Sequence, residues 1–197
     1  MKIHRALATT GMLSIAVFAF TLVPALAANS PPPMQATKAA QSNDPAVATQ
    51  MREIDAQVRK IEQALPTLAR TEVMLKPGSL ADVTEVKWSK LHAYASGNTI
   101  ERLKVYPPAG SAKTEEFYYQ DGSLILAFVE PNGAAHEGHS PEAKGTRYYF
   151  NANGLFANND GKRTTTTPDA KQKAKGAKLQ RESAALLGLS SKSATDS

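Results

Sequence analysis

The chain contains no cysteine, and that absence excludes disulfides, thiol nucleophiles and thiolate-held metals. It also closes the lipoprotein route, which acylates a cysteine after signal cleavage. Tryptophan is nearly absent, with Trp88 alone, and histidine occurs only at positions 4, 92, 136 and 139. Long apolar runs are missing except near the start. There a basic segment (Lys2, His4, Arg5) precedes an apolar stretch through Ala16-Val17-Phe18-Ala19-Phe20, and Ala25-Leu26-Ala27 stands before Ala28. This is the order of an export signal, with small residues at the first and third positions before the cut. The apolar core from Met12 to Val23 is shorter than the roughly 20 residues that span a bilayer, and Pro24 follows it. Residues 1–27 are therefore expected to be a cleaved signal peptide, giving a periplasmic or secreted protein with no membrane span. Loss of Lys2 and Arg5 takes the formal charge from +5 to +3. A weakly basic chain suits an anionic envelope and is no signature of nucleic-acid binding.

Residues 28–43 hold Pro31-Pro32-Pro33 among Ala, Gln, Ser and Asn, too little apolar surface to offset the entropy of ordering, and are expected to form a flexible leader. The pattern then changes. Val47, Met51, Ile54, Val58, Ile61, Leu65 and Leu68 alternate in spacings of four and three, which is one apolar stripe on an amphipathic helix within residues 44–70. Asn43 or Asp44 can cap it, Pro45 suits its first turn, and Pro66 ends it near Leu65. The same spacing would suit a coiled coil, but Met51 and the Pro66 break fit one poorly. The helix is expected to dock on its own domain in a monomer.

Residues 71–160 read as an antiparallel sheet. Pro77-Gly78-Ser79, Ser96-Gly97-Asn98, Pro107-Pro108-Ala109-Gly110, Asp121-Gly122, Pro131-Asn132-Gly133 and Asn153-Gly154 are turn chemistry between β-prone stretches. With Asp121-Gly122 as a two-residue turn, Tyr119 faces Leu124, Tyr118 faces Ile125 and Phe117 faces Leu126. Phe117, Tyr119, Leu124, Leu126 and Phe128 would then share one face, and Tyr118, Ile125, Ala127 and Val129 the other. Tyr148-Tyr149-Phe150 before Asn153-Gly154 repeats the pattern. Residues 161–197 are expected to form a basic helix or tail. Thr167 and Pro168 would begin a helix that stops near Gly188, and Lys171, Lys173, Lys175, Lys178 and Arg181 would spread around it.

The two aromatic hairpins, Glu115-Glu116-Phe117-Tyr118-Tyr119 with Gly122 and Leu124, and Arg147-Tyr148-Tyr149-Phe150 with Gly154, resemble a pattern of exported bacterial proteins and, in outline, MORN-type hairpins. The resemblance covers about a quarter of the chain and implies a β-meander in a secreted protein, with no site residue carried over. The fold expected is α+β: the N-terminal amphipathic helix on an antiparallel meander of about five strands, with a short C-terminal helix.

Chemistry-bearing motifs are few. His136-Glu137-Gly138-His139 is the one short string that suggests a metal, and His136 and His139 are its weak candidate ligands. They lack the four-residue separation of helical zinc-protease histidines, and Gly138 and Pro141 argue against a helix. A solvated loop is the expected reading, with no cofactor. No Gly-x-Ser-x-Gly or Ser-x-x-Lys set points to a nucleophile. Glu115 and Glu116 point to opposite faces of a strand and cannot converge on one bond. Tyr118, Tyr149 and Trp88 are candidate ligand-binding residues if an aromatic face is left uncovered. These features favour an exported, non-enzymatic binding or structural module whose partner is an envelope protein or an anionic envelope polymer. The alternatives are a secreted inhibitor acting through a hairpin edge, or an envelope hydrolase with an unrecognised site.

Overall fold

The computed structural model describes residues 44–109, 113–131 and 144–195. The segments expected to be a signal peptide (1–27) and a leader (28–43), and the pair His136 and His139, lie outside the described residues. Helix α1 (Pro45–Ala64) leads through a single 3-10 turn (Leu65–Thr67) into eight strands. These are β1 (Ala69–Met74), β2 (Lys90–Ser96), β3 (Thr99–Tyr106), β4 (Thr114–Gln120), β5 (Ser123–Glu130), β6 (Thr146–Asn151), β7 (Gly154–Asn159) and β8 (Thr164–Thr165), followed by helix α2 (Ala170–Thr195). Every strand pairs antiparallel with its neighbour in sequence, so the sheet is a meander from β1 to β8.

The architecture departs from the expected meander of about five strands with a short C-terminal helix. The sheet has eight strands, not about five, and the C-terminal helix is 26 residues long, not short. The helix continues through Gly188 and starts from a different cap. The Asp169 carboxylate accepts from the Gln172 amide while the Gln172 side chain accepts from the Asp169 amide, both at 2.8 Å. That reciprocal box satisfies two of the donors a helix start leaves orphaned, and Thr167 is not needed. Nor is this segment a solvated tail. Leu179, Glu182, Ser183, Leu186 and Ser190 are buried, and small residues let the helix lie close. A Cβ on Gly176 would stand 2.6 Å from the Cβ of Leu155.

Three hairpins share one device. β2–β3, β4–β5 and β6–β7 each shift register after a tyrosine: Tyr94 pairs with Arg102 but Ala95 with Ile100, Tyr118 with Leu126 but Tyr119 with Leu124, and Tyr149 with Ala157 but Phe150 with Leu155. The extra residue in each is a β-bulge, at Glu101, Ile125 and Phe156. The bulge corrects the sequence-derived register, in which Tyr118 faced Ile125 and Phe117 faced Leu126. Phe117 pairs with Ala127. Leu126 and Phe128 consequently join Tyr118 on the α1 side, while Ala127 and Val129 lie with Phe117 and Tyr119 on the other. The turn between β4 and β5 has positive φ at both Asp121 (52°) and Gly122 (75°), the sign pattern of the type I′ turn that matches strand twist. In β6–β7 the turn residues are Ala152 and Asn153, and Gly154 opens β7.

Two cores result, one on each face of the sheet. Met51, Ile54 and Ile61 of α1 pack with Tyr118, Ile125, Leu126, Phe128, Tyr149 and Ala157. On the opposite face Leu179 and Leu186 of α2 pack with Leu91, Leu103, Val105, Phe117, Tyr119, Phe150 and Leu155. Leu75, Leu80 and Trp88, from the segment that joins β1 to β2, extend this second core. An antiparallel sheet apolar on both sides needs a helix on each, and α1 and α2 meet that need.

Candidate functional site

Adjacent tyrosines of β4 point in opposite directions and hold the two helices. The Tyr118 hydroxyl lies 2.7 Å from a Glu62 carboxylate oxygen of α1 and 2.6 Å from one of Glu116, and its single proton serves one of them at a time. Tyr119 shares a 2.7 Å hydrogen bond with Ser183 of α2. Burial, with the Glu116 charge beside it, pushes the Tyr118 hydroxyl well above its usual range, so it remains a donor at physiological pH. Arg102 lies between Glu62 (3.3 Å) and Glu116 (3.0 Å), and Lys104 meets the second oxygen of Glu116 at 2.9 Å. Arg102, Lys104 and Glu116 are all essentially fully buried. Buried charges persist only when paired and hydrogen-bonded, and this group anchors the end of α1. Tyr149 does the same further along, donating to Asp55 at 3.1 Å. Two of the three sequence candidates for ligand contact, Tyr118 and Tyr149, are therefore placed beneath α1, about 0% and 1% exposed.

Cross-strand register continues this polar row towards β1. Glu72, His92, Lys104 and Glu116 stand side by side on β1 to β4. His92 Nε2 lies 2.7 Å from Glu72 and its Nδ1 3.3 Å from the Tyr106 hydroxyl. Burial lowers the His92 pKa, against the raising effect of Glu72. No group of three metal-ligating side chains gathers among the described residues.

The third candidate, Trp88, stands in a different setting. A cavity of 690 Å³ opens between the β1–β2 connection and the strand ends, with Leu75, Leu80, Val86, Trp88 and Pro108 in its wall and Lys76 and Lys87 also lining it. The connection is shaped locally. Successive i→i+3 amide bonds link Ser79 to Lys76, Ala81 to Gly78 and Val83 to Leu80, and they coil the segment so that Leu80 and Trp88 fold inward. Gly78 sits at φ 83°, in the left-handed region that side chains with a Cβ resist. The Trp88 indole N–H donates to Glu182 of α2 at 2.5 Å, and Lys113 Nζ lies 5.7 Å from the ring centroid. Trp88 thus has one edge fixed to α2 while its ring helps form the cavity wall.

The groups behind Trp88 are electrostatically unusual. Glu182 is buried, and burial together with the Glu115 charge raises its pKa to about 7, against hydrogen bonds from Trp88 and Thr84. Glu115 is itself buried, with Lys113 at 2.6 Å and Lys175 at 3.9 Å. Sequence reasoning selected Trp88 but missed Glu182, Lys113 and the cavity. The available signal was Glu182 within the α2 stripe Gly176, Leu179, Ser183, Leu186 and Ser190, spaced three and four apart, in which small residues stand where large apolar ones are usually sought. No described helix is long and apolar enough to cross a membrane. Compared with protein-family models, with curated proteins and with solved structures, the chain matches none.

Proposed function

We propose that the protein is an exported, non-enzymatic binding module, and that the cavity at Trp88 receives a small amphiphile with an anionic end. The observation that carries this reading is the 690 Å³ cavity walled by Leu75, Leu80, Val86 and Trp88. Its size falls within the range of about 300–1,000 Å³ typical of ligand sites, and its apolar lining with few polar groups is their usual character. An apolar tail gains by leaving water for this wall. Lys76 and Lys87 supply positive charge there, while the lining carboxylate Glu85 is met by Lys178 at 3.7 Å. Non-enzymatic binding is favoured over hydrolysis because Glu182 is bonded to Trp88 behind the wall, and Glu85 has no carboxyl partner among the lining residues with which to share acid and base roles. Isothermal titration calorimetry with dodecanoate, and with dodecanol as the uncharged control, tests the reading. Saturable one-to-one binding of dodecanoate with a negative heat-capacity change, weaker for dodecanol, is expected. Absence of saturable dodecanoate binding would remove it.

A further inference from the structure

The strand that begins the sheet carries a second inference, independent of the cavity. β1 is the terminal strand, and its residues are exposed or half-buried throughout, with Met74 68% exposed. Just beyond it the Leu75 amide donates to the Ser89 carbonyl at 2.9 Å. Hydrogen-bonded and non-bonded pairs alternate along an antiparallel ladder. Val73, Thr71 and Ala69 therefore turn their backbone groups toward β2, and Arg70, Glu72 and Met74 turn theirs toward the outer edge. A further strand can bond this edge only through that second set.

For a strand that pairs with its own copy, this parity leaves few registers. Glu72 opposite Glu72, or Arg70 opposite Arg70, places like charges together, and Glu72 opposite Met74 brings Arg70 against Lys76. Like charges directly across a ladder destabilise it. The register centred on Thr71 avoids this with its charged pairs inside β1, whereas a register centred on Met74 would have to pair Glu72 with Lys76, which lies beyond the strand. The Thr71 register sets Arg70 opposite Glu72 twice and Met74 opposite Leu68. Within the protomer Glu72 accepts from His92 and faces Lys90 through Oε2, and a carboxylate has further lone pairs with which to meet a guanidinium across the edge. We infer that β1 is a docking strand for a second copy of this chain, paired antiparallel about Thr71 with Arg70 of each copy against Glu72 of the other. This departs from the sequence-derived expectation of a monomer. At the far end of the sheet β8 has two residues, too short to template a further strand, so association through β1 closes at two copies and does not propagate.

Sedimentation equilibrium of the purified protein across a concentration range tests the inference. The wild type should dimerise. Arg70→Glu and Glu72→Arg each convert both cross-edge pairs to like charges and should weaken dimerisation about tenfold or more, whereas the double reversal Arg70→Glu/Glu72→Arg should restore it. Because Glu72 also holds His92, thermal melting checks that the variants fold, and Arg70→Lys, which keeps the charge and the fold, should retain the dimer. A concentration-independent monomer, a dimer indifferent to the single reversals, or a double variant no tighter than the single ones would overturn the inference.

Discussion

Single side chains decide how the helices are held, and the two aromatic hydroxyls of β4 show why. Tyr118→Phe keeps the ring in the core but removes a buried hydroxyl donor to the charged Glu62–Glu116 pair, leaving Arg102 and Lys104 to hold it. The cost should be about 1–3 kcal/mol, read as a lower midpoint in chemical denaturation. Glu182 acts in the opposite sense as a function of pH. Its folded pKa, about 7, lies above that of an unfolded glutamate, so between roughly pH 4.5 and 7 the folded state holds a proton that the unfolded state has released. Stability from this group is therefore full at acid pH and falls as pH rises through that window. His92, with a lowered pKa, gains a proton less readily when folded and costs stability as pH falls below its unfolded value. The two effects oppose each other, and subtraction separates them. Glu182→Gln retains an acceptor for Trp88, and its stability relative to wild type should increase as pH is raised from 5 to 8. A constant difference across that range would contradict the assignment.

At the scale of elements, the close approach of α2 to β7 makes a prediction that runs against helix propensity. Alanine is the better helix former by about 1 kcal/mol, yet Gly176→Ala should lower stability by about 1–3 kcal/mol, because its Cβ would meet Leu155 at 2.6 Å. Thermal unfolding decides the sign. The same helix marks the limit of what the sequence discloses. Asp44-Pro45 and Pro66 are readable as the punctuation of α1, and Asp121-Gly122 as a hairpin turn, because capping and turn chemistry are local. The buried face of α2 consists largely of Gly176, Ser183 and Ser190 around two leucines, so a search for large apolar residues passes over it. The bulges were invisible for a related reason. In Ser123-Leu124-Ile125-Leu126 every core position is apolar, and alternation cannot reveal the slip that places Ile125 and Leu126 on one side. The third hairpin, at Tyr94, does not look like the other two in sequence because Arg102 occupies the position where they carry Leu126 and Ala157.

At the scale of the molecule, the sheet separates two kinds of interior. The α1 face grades from an apolar half under Met51, Ile54 and Ile61 into the paired charges of Arg102, Lys104 and Glu116. The α2 face is apolar around Leu179 and Leu186 and carries the buried carboxylates Glu115 and Glu182 beside the cavity at its edge. The cavity could not be read from sequence because its wall joins residues from a turn-rich connection to Pro108 and, through Trp88, to α2, contacts that only the fold creates. Trp88 is the single tryptophan in the chain, so its fluorescence reports on this site alone. The most direct test is to titrate dodecanoate while following Trp88 emission, in wild type and in Ala81→Phe, which places a ring among the lining residues. The account predicts a saturable change in wild-type emission that is lost or weakened at least about tenfold in Ala81→Phe, with the fold of the variant intact by circular dichroism. An unchanged wild-type spectrum, or an equal response in the filled variant, would contradict it.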